Sequence, residues 1–208
     1  MREVAPTIYV VDDDPSVRKS LERLIRSAGY RAQTFASADD FLRGEKGPGP
    51  RCLVSDIRMP GLSGTDLQKE LQRQNHSIPL IFITGHGDIP MSVQAMKNGA
   101  VDFLTKPYND EDLLRAIGRA LEKDQKHRHA QEKRASIQER VDTLTPAEQD
   151  VLRWLITGKL NKQIARKLGI KEKTVRVHRG RVLKKMKASS IADLVRFTHT
   201  VFIDPPQE

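Results

Sequence analysis

The chain has 208 residues, a formal net charge of +9 and one cysteine. That length exceeds the usual size of a single domain and suits two units. A lone cysteine excludes an internal disulfide and indicates no zinc cluster, and no apolar run reaches the length of a signal peptide or membrane span, so a cytoplasmic protein with no membrane partner is expected.

The first apolar stretch, Ile8-Tyr9-Val10-Val11, ends in Asp12 and Asp13. Asp14 before Pro15 reads as a helix cap, and Val17, Leu21, Leu24, Ile25 and Ala28 share one helical stripe. Gly44 to Pro50 reads as a loop. Three further strand-like stretches close on chemistry-bearing residues: Cys52-Leu53-Val54-Ser55 on Asp56, Leu80-Ile81-Phe82-Ile83 on Thr84, and Val101 to Thr105 on Lys106. Leu113, Leu114, Ile117 and Leu121 then form a second helical stripe. Short buried strands alternating with helices predict a parallel, doubly wound α/β sheet, whose sites form at the carboxyl ends of strands. Taken singly, each of these polar residues has an ordinary surface reading; placed at four successive strand ends, they are expected to converge. Cys52 lies within a strand and is read as packing.

Three crowded carboxylates repel one another and favour a hard cation with oxygen ligands. Val-Val-Asp-Asp-Asp, Val-Ser-Asp-Ile-Arg-Met-Pro-Gly, Phe-Ile-Thr-Gly-His-Gly-Asp and Asp-Phe-Leu-Thr-Lys-Pro occur in this order, and residues 6 to 122 resemble the receiver domain of two-component response regulators. The resemblance implies a flavodoxin-like (βα)5 fold, with Asp56 as the phospho-acceptor assisted by Lys106 and Thr84. It further implies Thr84 and Phe103 as switch residues and a cis peptide before Pro107. Mg2+ is expected on Asp12, Asp13, Asp56 and the backbone carbonyl of Arg58, and a sensor histidine kinase as the phosphodonor.

Residues 122 to 141 lack Pro and Gly and are rich in charged residues, which predicts an extended, mostly solvated helix. Glu122 with Lys126 and Asp124 with Arg128 are spaced as acid-first pairs, each worth about 0.2 to 0.5 kcal/mol. The apolar seam stops at Asp124, so no long zipper is expected. His127 and His129 fall on different faces and are read as solvated.

Charge divides the chain. Lys+Arg against Asp+Glu is 17 to 17 over residues 1 to 123, and 19 to 10 over residues 124 to 208. Lys159 to Lys187 holds 12 basic residues and one acid, Glu172, a density that points to a polyanion. Thr145-Pro146-Ala147-Glu148 is a capping box opening a helix with Val151, Leu152, Trp154 and Leu155, expected to stop at Gly158. Asn161 is expected to cap a short helix ended by Gly169, and a third helix follows Lys171 through Met186. Ser190 opens a last helix with another capping box.

Residues 143 to 198 resemble the four-helix, LuxR-type DNA-binding domain of FixJ/StyR-like regulators. The resemblance rests on Leu-Thr-Pro-Ala-Glu, Asn-Lys-Gln-Ile-Ala-Arg-Lys-Leu-Gly-Ile, Thr-Val-Arg-Val-His-Arg and Ser-Ser-Ile-Ala-Asp-Leu-Val. Ala147 and Lys171 depart from the usual arginine and serine, and Lys171 is read as a phosphate contact. At about 100° per residue, Val175, Val182 and Met186 face inward, whereas Lys173, Val177, Gly180 and Lys184 face a groove, bordered by Arg176 and Arg181. The expected DNA contacts are Lys162, Lys171, Lys173, Thr174, Arg176, Val177, Arg181 and Lys184. Arg179 is assigned to internal structure, paired with Glu148.

The expected division is therefore a receiver at 1–122, a helical linker at 123–141 and a helix-turn-helix domain at 142–208. The expected function is phosphorylation-controlled transcription regulation, with double-stranded promoter DNA as ligand and a homodimer when phosphorylated. RNA polymerase is a further candidate partner, and no enzyme activity beyond self-phosphorylation is expected. Two alternatives stand beside it. Asp12-x-Asp14 after a strand also fits an aspartate-dependent phosphohydrolase, although Pro15-Ser16 departs from that motif; the other is a receiver acting only through protein contacts.

Overall fold

The computed structural model describes residues 5–85, 89–203 and 206. The chain divides into two compact units, residues 1–128 and 129–208.

In the first unit, β1 (Thr7–Val11), α1 (Pro15–Ser27), β2 (Arg31–Phe35), α2 (Ala38–Arg43), β3 (Arg51–Asp56), α3 (Gly64–Arg73), β4 (Leu80–Thr84), α4 (Ile89–Lys97), β5 (Asp102–Thr105) and the first turns of α5 (Asp110–Asp142) alternate along the chain. The five strands are parallel in the order β2-β1-β3-β4-β5. This is the flavodoxin-like order, in which chain direction across the sheet reverses between β1 and β3 and leaves a crevice at their carboxyl ends. Strand periodicity builds both cores. Ile8, Val10, Cys52, Val54, Ile81 and Ile83 pack with Leu21, Ile25, Leu113 and Ile117 of α1 and α5. Tyr9, Val11, Leu53 and Phe82 alternate with them and pack on the other face with Phe41, Leu67, Leu71 and Ala95. Both faces are covered, so the strands read as continuous apolar runs.

Local signals set the helix starts. The Asp14 side chain accepts from the Ser16 N–H at 2.7 Å and caps α1, with Pro15 in the first turn. Ser37 and Ser63 cap α2 and α3 in the same way. Strand β2 has no counterpart among the apolar stretches: it is an edge strand, Arg-Ala-Gln-Thr-Phe, whose residues are half-buried or exposed.

The second unit is helical: the last turns of α5, then α6 (Pro146–Leu155), α7 (Asn161–Leu168), α8 (Glu172–Met186) and α9 (Ile191–Val201). Its core joins Val151, Leu152, Trp154, Ile164, Val175, Val182, Met186 and Leu194 to Ile137 and Val141 of α5. The capping boxes at Thr145 and Ser190 form as read. Gly169 adopts φ 66°, ends α7 in the left-handed region and lets Ile170 donate back to the Ala165 carbonyl.

Two expectations are corrected. Asn161 is the first residue of α7 and Leu160 its cap; the Gln163 side chain accepts from the Leu160 N–H, and the Asn161 side chain is engaged elsewhere. Asp124 is not a solvated member of an Asp124–Arg128 pair. It is buried, and its Oδ2 accepts from the Arg51 N–H at 3.0 Å. Most of α5 between Glu122 and Ala135 is otherwise exposed.

Candidate functional site

The crevice at the strand ends collects four of the predicted residues. Asp12 follows β1, Asp56 ends β3, Thr84 ends β4 and Lys106 follows β5. The Lys106 Nζ donates to Asp12 Oδ2 at 2.9 Å and to Asp56 Oδ2 at 2.8 Å, joining positions 94 and 50 residues apart. Asp12, Asp56 and Thr84 are buried. The remaining Asp12 oxygen accepts from the Asp14 N–H at 2.9 Å, and Asp56 Oδ1 accepts from the Arg58 N–H at 3.1 Å.

Burial pushes the Asp12 carboxyl above the usual range, more than the bonds from Lys106 and Asp14 pull it down, and the nearby Asp56 charge adds to the rise. Burial alone would lower Lys106. Its bonds to Asp56 and Asp12 outweigh that and hold it above its ordinary value, so the ammonium stays charged. One oxygen from each of Asp12, Asp13 and Asp56 lies within 4.8 Å of the others. Three hard anionic donors at that separation fit a small, oxygen-seeking divalent cation. Asp13 is exposed at the mouth.

Two glycines matter here. A Cβ on Gly64 would stand 2.3 Å from the Asp56 carbonyl oxygen, so glycine lets α3 start directly against the acceptor strand, where the Gly64 N–H donates to Ile57. Sequence reading missed Gly64, although its place eight residues after Asp56 within a Ser-Gly-Thr cap is visible. Gly85, directly after Thr84, has open space around its Cβ position. The Lys106 N–H donates to the Thr84 carbonyl at 2.8 Å, stitching these two strand ends together, and the Lys106–Pro107 peptide is cis. Phe103 is half-buried, with its ring 6.5 Å from that of Phe82. Asp14 is exposed, and its side chain caps α1.

On α8, Val175, Val182 and Met186 are fully buried, as the rotation predicts. Lys171, Lys173, Thr174, Arg176, Val177, Gly180, Arg181 and Lys184 are exposed, and Lys162 of α7 is exposed too. Lys171 caps α8 with no side-chain bond, and its carbonyl accepts from the Thr174 and Val175 N–H groups. Arg176 makes an exposed contact with Glu172 at 3.6 Å. Arg179 is half-buried, but its partner is Asn161, at 3.3 Å, and not Glu148. Glu148 is buried and pairs with Lys185 at 2.6 Å, because Lys185 lies at the level of the α6 N-terminus and also donates to the Thr143 carbonyl.

An acidic crevice of this form at the strand ends, bridged by a lysine and followed by a helix-turn-helix unit, is the arrangement of a response regulator. Residues 8–118 match the model of the response regulator receiver domain, and residues 142–198 that of the luxR family of bacterial regulatory proteins. The chain is 51% identical to nodulation protein W of Bradyrhizobium diazoefficiens over 94% of its own length and 86% of that protein. It is 46% identical to the response regulator protein TodT of Pseudomonas putida, covering 95% and 87%. The solved structure of the response regulator StyR superposes with a TM-score of 0.84 at 46% identity, covering 94% and 99%. The chain belongs to the LuxR-type response regulators, which are transcription regulators.

Proposed function

We propose that Asp56 accepts a phosphoryl group from a sensor histidine kinase and that the modified receiver controls pairing of the chain and its binding to promoter DNA. The observation that carries this reading is the Lys106 ammonium held between Asp12 and Asp56. An Asp56 carboxylate oxygen attacks phosphorus, the bond to the donor nitrogen breaks, and negative charge spreads over the phosphoryl oxygens. Lys106 neutralises that charge on one side. Asp12, Asp13, Asp56 and the Arg58 carbonyl are the residues that would hold Mg2+, whose contribution when bound is charge neutralisation and alignment of the phosphoryl oxygens. Thr84 donates its hydroxyl to the phosphoryl group, and Phe103 follows it inward.

The proposed division is a receiver at 1–122, a helical linker at 123–141 and a DNA-binding domain at 142–208. The proposed pairing surface uses the exposed residues of α4, among them Val93 and Met96, with the outward positions of α5. Leu113, Ile117 and Leu121 are buried against the sheet and cannot belong to it. Lys162, Lys171, Lys173, Thr174, Arg176, Val177, Arg181 and Lys184 are the proposed DNA contacts, and RNA polymerase is a further proposed partner. The proposed setting is the cytoplasm; among the described residues no helix is long and apolar enough to cross a membrane.

Exposure to a small-molecule phosphodonor and Mg2+ should load wild type with about one base-labile phosphate and Asp56→Asn with none; equal labelling would refute the assignment. Selecting DNA from a random pool with both proteins, with and without the donor, tests the output. A receiver acting only through protein contacts would enrich no sequence.

A further inference from the structure

Arg18 lies in the second turn of α1, and its Nη1 donates to the backbone carbonyl of Asp12 at 2.7 Å. That carbonyl belongs to the peptide joining Asp12 to Asp13, so holding it fixes the plane from which the Asp13 side chain departs. The three acids of the crevice differ in how they are otherwise restrained. Asp12 is held through both carboxylate oxygens by Asp14 and Lys106, and Asp56 by Arg58 and Lys106. The Asp13 carboxylate is exposed and accepts no hydrogen bond among the described residues. Backbone alone aims it. Its oxygen nevertheless lies within 4.8 Å of those of the other two.

We infer that Arg18 is a positioning residue that anchors the Asp12–Asp13 peptide and so aims the Asp13 carboxylate at the divalent-cation site, an inference resting on the reading of Asp12, Asp13 and Asp56 as that site. A group behind a metal ligand acts by preorganisation, and losing one commonly weakens metal binding by about 10- to 100-fold. Arg18 is also a cation beside a cation site. Acting through charge alone, it would repel the metal, and its removal would tighten binding. The two roles differ in sign.

The experiment is Mg2+ titration by calorimetry on the full chain, with a melting curve for each variant. Arg18→Ala should weaken Mg2+ binding about tenfold, and Arg18→Lys, which keeps a donor, should recover most of the loss. Binding by Arg18→Ala that is unchanged or tighter overturns the inference. So does an Arg18→Ala variant that melts lower but titrates like wild type, since that marks a purely structural contact. Asp13→Asn distinguishes the underlying reading: if it binds Mg2+ like wild type, the metal assignment fails and the Arg18 inference falls with it. Should Arg18→Ala not fold, Arg18→Met replaces it with the same expected weakening.

Discussion

The Lys106 ammonium stands 2.8 Å from Oδ2 of Asp56, on the carboxylate that is read as the phospho-acceptor. It therefore meets the developing charge of an incoming phosphoryl group and, before that, competes with any cation for Asp12 and Asp56. Lys106→Met should slow phosphoryl uptake from a small donor about 10²-fold, the usual effect of losing one preorganised donor. The same variant should bind Mg2+ more tightly, because a competing positive charge is gone. Uptake followed by phosphate labelling and Mg2+ affinity by calorimetry check the pair; weaker Mg2+ binding would show that Lys106 organises the carboxylates more than it competes for them.

Asp124 should matter to the receiver despite its place in a charged helix. Its buried carboxylate accepts from the Arg51 N–H where β3 begins, so Asp124→Ala leaves that amide without its partner and should cost about 1 to 3 kcal/mol. Asp124→Asn keeps an acceptor and should cost less. Burial raises the Asp124 carboxyl above 3.8, against the bond from Arg51 and the charges of Arg128, Arg51 and His127. A raised folded-state value means that the native state binds the proton more readily than the unfolded state. Wild type should therefore lose stability relative to Asp124→Asn as pH rises from about 3.8 through the folded value. Urea unfolding of both proteins from pH 4 to 7 measures this difference; a gap that is constant with pH would contradict it.

Glu148 should show the opposite sign. The Lys185 hydrogen bond and then the Thr145 N–H hold its carboxyl below 4.5. Its contribution is fully present above that value and lost as pH falls through the lower, folded one. Glu148→Ala removes a capping box and an ion-pair partner and should cost about 1 to 3 kcal/mol. In acid the difference from wild type should shrink, as followed by the melting of the C-terminal unit within the full chain.

The strand-end residues were legible because a buried parallel strand is a short apolar run with a definite end, and Asp12, Asp56, Thr84 and Lys106 mark those ends. Strand β2 lacked that signature, since an edge strand with Arg31 and Gln33 is held by its pairing with β1 and needs no apolar run. Asp124 reads as solvated from the sequence because helical periodicity sees only its own helix, whereas its partner is an amide 73 residues away. Angular projection of α8 turns Val175, Val182 and Met186 inward, as observed, yet it pairs Glu148 with Arg179 where the structure pairs it with Lys185. An angular projection gives direction around the axis and no height along it. Arg179 and Lys185 are about 9 Å apart in rise, and only Lys185 stands level with Glu148.

The exposed face of α8 mixes two kinds of basic residue, and their replacement should separate them. Arg176 can present a guanidinium to a guanine edge, and its present contact with Glu172, between exposed side chains at 3.6 Å, is worth too little to prevent that. Arg176→Ala should cost about 1 to 3 kcal/mol on the selected site and relax preference at one position. Glu172→Gln removes an acid from the groove face, so it should tighten binding to all DNA without altering which sequence is preferred. Lys184, two turns further along α8, is expected to meet phosphate. Lys184→Ala should weaken specific and nonspecific DNA alike and lower the magnitude of the salt slope by about one. Binding isotherms at several salt concentrations, on the selected site and on a scrambled one, give all three results. If Lys184→Ala relaxes sequence preference while Arg176→Ala changes only the salt slope, the base-reading end of the helix lies nearer Lys184, and the proposed docking of α8 is reversed along its axis.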